Sequence, residues 1–103
     1  RNTMTDIQIL ATTAHDYPFG TLHDDQNHAF GRLAANYSRR QIQSAIVKEL
    51  ERMDVSAWNE YITAFELFMA GEHSREAVQQ AQDKTYRIRE RLTNCKFQLD
   101  RMK

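Results

Sequence analysis

At 103 residues the chain has the length of one domain, and 14 basic against 14 acidic residues leave it formally neutral. Its 41% hydrophobic and 27% charged content excludes a disordered chain, and no apolar run approaches the roughly 18 residues of a bilayer-spanning helix. The single cysteine, Cys95, excludes an internal disulfide, which suits a reducing compartment and points to the cytoplasm.

No export leader is expected: the apolar stretch over residues 7–11 is short, contains Gln8, and lacks a basic flank and a cleavage box. Residues 1–3 precede Met4 and read as added sequence. Thr5-Asp6-Ile7-Gln8 fits a capping box, in which Thr5 and Gln8 each satisfy an orphan backbone N–H. Ile7, Leu10, Ala11 and Ala14 follow at helical period, which predicts a helix over 6–14, opposed by the poor helix formers Thr12 and Thr13. Tyr17-Pro18-Phe19-Gly20 reads as a turn, with Pro18 preset for its second position.

Asp24 or Asp25 can cap a second helix whose apolar stripe is Phe30, Leu33, Ala34 and Tyr37. Ser38-Arg39-Arg40-Gln41 repeats the capping-box pattern, and Ile42, Ala45, Ile46, Leu50 and Met53 continue the period. Residues 26–53 are therefore one helix with Ser38 inside it, or two helices that meet there.

Asp54 offers a cap for a helix over 55–70. There Trp58, Ile62, Phe65 and Met69 make one stripe and Ala57, Tyr61, Ala64 and Phe68 its neighbour, with Leu67 widening the arc. A helix apolar over most of its circumference is buried by several neighbours, so the 58–69 face is expected at the centre of the core. Phe65→Ala should then cost ~3–5 kcal/mol. Gly71 can supply a left-handed C-cap and Ser74 the next N-cap, which closes a helical hairpin over 55–102.

The final helix, 75–102, carries the strongest signal. Val78, Ala81, Thr85, Ile88, Leu92, Cys95, Leu99 and Met102 follow in alternating steps of three and four, the spacing of a seam that packs on a partner helix. At 1.5 Å per residue this helix runs ~42 Å, against ~34 Å for the diameter of a compact domain of this size. The end from Cys95 to Met102 is thus expected to lie short of cover and project, unless a continuous 26–53 helix runs along it. Residues 75–103 hold eight bases and four acids, a local charge of +4 that leaves −4 on the rest. In a parallel homodimer Lys84 would face Arg89, and Arg91 would face Lys96, each like-charged pair costing ~0.2–0.5 kcal/mol. The seam therefore calls for an acid-flanked partner: Glu49, Glu51, Glu60 and Glu66 of the same chain, or an acidic surface of another protein.

Signs of chemistry are sparse. His15, Asp16, His23, Asp24, Asp25 and His28 are metal-binding types in one region, but His23 and His28 lack a standard ligand spacing and capping accounts for the aspartates. Cys95 lies inside the apolar seam, where it acts as a small hydrophobe rather than a nucleophile. Neither a glycine-rich phosphate loop, a nucleophile elbow nor a Glu-x-x-His pair is present.

The sequence thus predicts a single all-α domain over 1–103, a bundle of four or five helices with a long C-terminal hairpin, and neither enzymatic activity nor a cofactor. It predicts an interaction module, an adaptor, assembly factor, regulator or inhibitor, acting through Arg87, Ile88, Arg89, Arg91, Leu92, Cys95, Lys96, Leu99 and Met102. The alternative is a nucleic-acid-binding regulator using Arg87, Arg89, Arg91 and Lys96 against phosphates. No membrane partner is expected. Self-association through the C-terminal seam alone is disfavoured, and would need Glu49 or Glu51 of one chain against Arg89 or Arg91 of another.

Overall fold

The structure, a computed structural model, describes residues 5–12 and 21–102. Four helices follow one another with no strand among the described residues: α1 (Asp6–Ala11), α2 (Thr21–Ala34), α3 (Arg39–Met69) and α4 (Arg75–Arg101). The all-α hairpin expected from the periodicity is present, but it begins at Arg39 rather than near residue 55.

Capping chemistry sets most helix ends. At α1 the Gln8 amide donates to Thr5 Oγ1 (3.2 Å) while the Thr5 amide donates to Gln8 Oε1 (2.9 Å). The helix stops at Ala11, short of the expected residue 14, because Thr12 turns extended and its hydroxyl donates to the Gln8 carbonyl at 2.6 Å. Residues 13 and 14, and the turn expected at 17–20, lie outside the described residues. The same reciprocal box forms between Ser38 and Gln41, so Ser38 separates α2 from α3 and residues 26–53 are two helices.

Asp54 does not start a helix. It lies mid-way along α3, where its carboxylate accepts from Arg89 Nε at 2.9 Å. With no glycine or proline between 39 and 69, an interior aspartate costs only ~0.7 kcal/mol of helix propensity, too little to break a 31-residue helix. At its far end Gly71 adopts φ +80°. Its amide donates to the Phe68 carbonyl (3.0 Å) and that of Glu72 to Leu67 (2.8 Å), the paired bonds of a Schellman cap. Ser74 then accepts from the Ala77 amide to open α4.

The core lies at one end of the hairpin. There α1, α2, the first half of α3 and the second half of α4 bring together Leu10, Ala11, Ala29, Ile42, Ile46, Val47, Leu50, Ile88, Leu92 and Cys95. On α2 the inward residues are Ala29 and Leu33, whereas Phe30 and Ala34, and Tyr37 past the helix end, stay exposed, so the expected stripe is rotated. Ala29 lets α2 approach the short α1, and the Arg32 guanidinium grips the Asp6 carboxylate across that contact at 2.7 Å. That hydrogen bond holds the Asp6 carboxyl below its ordinary value and raises that of Arg32.

Two expectations are overturned by this placement. The end of α4 is covered: Cys95 and Leu92 are buried, Gln43 Nε2 donates to the Cys95 carbonyl (3.0 Å), and Arg40 caps the last turn through the carbonyls of Leu99 and Met102. Because α3 is continuous, it runs the full length of α4 antiparallel to it. The other correction concerns the 58–69 face, which is not the core. Beyond Ala57 the hairpin is two helices only among the described residues, and each can cover the other on one side. The small-residue stripe of Ala57 and Ala64 takes the inner side and leaves its neighbour outward. The molecule is consequently long, 51 × 29 × 22 Å, with a radius of gyration of 15.7 Å against ~13 Å for a compact chain of this length. No helix among the described residues is long and apolar enough to cross a membrane.

Candidate interaction surface

The residues singled out on α4 divide into two groups. Ile88, Leu92 and Cys95 are buried against α3, with Leu99 packed beside them and Met102 half-buried. The bases around them reach inward to their own chain. Arg89 pairs with Asp54, Lys96 with Glu51 (3.4 Å) and Lys84 with Glu60 (3.3 Å). Arg91 donates to the carbonyls of Leu10 (2.6 Å) and Ala11 (3.2 Å), satisfying the last turn of α1, whose own ladder leaves those oxygens open. Arg87 is exposed on the outer side of α4 and also has a partner within the chain.

The acid-flanked partner that the seam calls for is therefore α3 of the same molecule. Glu51 and Glu60 serve as expected and Asp54 joins them, whereas Glu49 pairs with Arg52 one turn along its own helix and raises the Arg52 pKa by hydrogen bonding. These pairs are partly exposed and each contributes at most ~1 kcal/mol, so they set register more than stability. All four bases that a phosphate backbone would use, Arg87, Arg89, Arg91 and Lys96, have partners inside the chain.

The outward face of α3 is different. Val55, Trp58, Ile62, Phe65 and Met69 follow in steps of 3, 4, 3 and 4, and all five are 37–69% exposed. This is a second seam with the spacing of the first, but with no helix on it among the described residues. Trp58 is held by its surroundings: its ring meets Tyr61 at 5.5 Å between centroids, and the Arg89 guanidinium lies 5.0 Å over it. Arg89 thus neutralises Asp54 and covers one face of the indole, leaving a fixed aromatic edge outward. The stripe from Trp58 to Met69 was visible in the periodicity but assigned to the core, and Val55 was missed as its fifth member.

The cavities do not compete with this surface for chemistry. A cleft of about 270 Å³ between α1, α3 and α4 is lined by Gln8, Thr12, Glu49, Arg52, Glu60 and Lys84, whose charges are paired with one another. A broader groove of about 760 Å³ runs along Ser56, Asn59, Thr63 and His73 beside the seam and is open to solvent. Among the described residues no three His, Cys, Asp or Glu side chains come together as a metal site. His15 and Asp16 lie outside the described residues. Compared with known proteins, the chain matches no family model, no curated protein and no solved structure.

Proposed function

We propose that this protein is a non-enzymatic interaction module, an adaptor, assembly factor or regulator that works by packing a helix of a partner onto the outward seam of α3. One observation carries the reading: five large apolar side chains at heptad spacing stand outward on a helix whose other face is already packed. Burying one such side chain gives about 1.5–3 kcal/mol, so a row of five exposed to water costs solubility unless it is used. The basic seam of α4, first expected as the contact, packs on α3 and pairs with its acids, and so presents the second seam indirectly. Coiled-coil packing and an oligomeric state belong to this reading, as does a cytoplasmic setting, where the buried thiol of Cys95 stays reduced.

The test uses the intact chain and its Ile62→Asp/Phe65→Asp variant as baits in an extract of the source organism. Both positions lie outside the core, so circular dichroism should give the same helix content for bait and variant. The variant should lose the proteins that the parent chain retains. Retention of the same set by both would sink the reading.

A further inference from the structure

We infer that the helix seated on the outward seam of α3 is the same seam of a second copy, related by a two-fold axis and antiparallel to the first. The inference rests on the reading of α3 as the working face and names its partner.

Area is the first argument. Taking a large side chain at about 200 Å², the five residues at 37–69% exposure leave about 500 Å² open on each copy. Seam on seam, two copies bury about 1,000 Å² from these side chains alone. A stable interface needs about 1,200–2,000 Å², a gap that the flanking Tyr61, Asn59 and Glu66 can fill. A patch of this size is self-sufficient only against something equally apolar, and the chain itself offers that surface.

Charge fixes the orientation. Continued toward Arg39 with the same spacing, the seam turns polar at Glu51, Lys48 and Ser44. A parallel dimer in register would set Lys48 against Lys48 at the contact, where like charges are unfavourable, and would crowd the Glu51–Lys96 pairs of the two copies together. Antiparallel packing about Ile62 confines the contact to 55–69 and leaves Lys48 in water. It also sets Val55 toward Met69 of the second copy and Trp58 toward Phe65, so that small meets long and ring meets ring. Along the flanks Asn59, Thr63 and Tyr61 are uncharged, Asp54 is neutralised by Arg89 and Arg52 by Glu49. The remaining flank charge, Glu66, falls beside Asn59 of the second copy rather than beside its own equivalent. The α4 seam has the opposite character, its flanking bases repelling their own copies unless α3 covers them.

The single tryptophan of the chain, Trp58, sits in this contact and reports on it. With the area at the low end of stable interfaces, a dissociation constant on the order of 10 μM is expected. Sedimentation equilibrium of the intact chain across that concentration should pass from the monomer mass to twice it, with Trp58 emission shifting to the blue and losing acrylamide quenching. Small-angle scattering should lengthen the particle from 51 Å to about 80 Å, the span of two copies overlapping over ~21 Å of helix. Ile62→Asp and Phe65→Asp should each stay monomeric with unchanged helicity. In a Cys95→Ala background, Ile62→Cys should crosslink to itself under mild oxidation and Lys48→Cys should not.

A strict monomer well above 100 μM, with Trp58 equally quenched throughout, would overturn the self-pairing. Crosslinking at Lys48→Cys would overturn the antiparallel arrangement. Neither result touches the partner-binding reading, which stands or falls on whether the Ile62→Asp/Phe65→Asp bait loses its captured proteins.

Discussion

Leu50 and Phe65 sit on the same helix, both large and apolar, and truncating each to alanine separates the two possible centres of this molecule. Leu50 is fully buried in the four-helix end. Leu50→Ala removes its transfer energy and leaves a cavity bounded by α3 and α4, which together cost ~3–5 kcal/mol. Phe65 is 44% exposed, so about 100 Å² of its surface is covered, and at 25 cal/mol per Å² that is an upper bound of ~2.5 kcal/mol. No cavity forms at an open site, and alanine regains ~0.5 kcal/mol of helix propensity over phenylalanine. The net loss for Phe65→Ala should be ~1–2 kcal/mol. Against a total stability of about 5–15 kcal/mol, the first change should lower the urea midpoint severely and the second slightly, followed by far-ultraviolet circular dichroism. Dilution well below 10 μM keeps any self-association out of the comparison. Equal losses for the two variants would mean that the 58–69 face is covered within one chain and would refute the packing described above.

Three further outcomes follow from particular contacts. Gly71→Ala meets no side chain or backbone within 4 Å, so its cost is that of forcing a Cβ into φ +80°, ~1–2 kcal/mol, read as a fall in thermal midpoint; a neutral result would place the hairpin turn elsewhere. A double-mutant cycle on Asp54→Ala and Arg89→Ala should give a coupling of at most ~1 kcal/mol that shrinks in molar salt, and Arg89→Ala should also change Trp58 emission at dilutions where the chain is monomeric. Because Arg32 holds the Asp6 carboxyl low, that pair stabilises the contact between α1 and α2 above the unfolded aspartate value of about 4. Its contribution is lost as pH falls through the lower folded value. Carboxyl chemical shifts of Asp6 should therefore titrate below the ordinary range and return to it in Arg32→Gln.

Local signals were legible in the sequence wherever the chemistry is local. Both capping boxes, the Gly71 turn, the Ser74 cap and the α4 seam involve residues within one or two turns of each other, and each forms as its residue types dictate. Asp54 was misread because a good cap and a good cross-helix ion-pair partner are the same residue type. Only Arg89, 35 positions away, decides between them. The 58–69 stripe was misassigned for a related reason. Periodicity says which residues share a face, but whether that face is covered depends on how many helices reach it. Lengths carry that information: α1 and α2 have 6 and 14 residues beside an α3 of 31, too little helix to enclose ~46 Å on all sides.

The two seams divide the work. In α4 the inward seam mixes the large Ile88 and Leu92 with the small Thr85, Cys95 and half-buried Ala81. Such small residues suit close approach to α3, where the Thr85 hydroxyl is absorbed by the carbonyls of Ala81 (3.0 Å) and Ala57 (3.4 Å). A contact between small residues is short-range and register-specific, and the flanking ion pairs add direction, so the hairpin forms as one fixed unit. In α3 the outward positions are large, Trp58, Phe65 and Met69, which suit a contact made between bodies already folded: their area is reached without rearranging the hairpin. Met69, 69% exposed at the end of the row, is also the most adaptable of the five. It can follow a partner surface that the rigid Trp58, clamped between Arg89 and Tyr61, cannot. Truncating Trp58 should therefore weaken any complex more than truncating Met69, although Met69 exposes more of itself. An interface in which Met69→Ala cost more than Trp58→Ala would place the contact at the hairpin tip instead of along the seam.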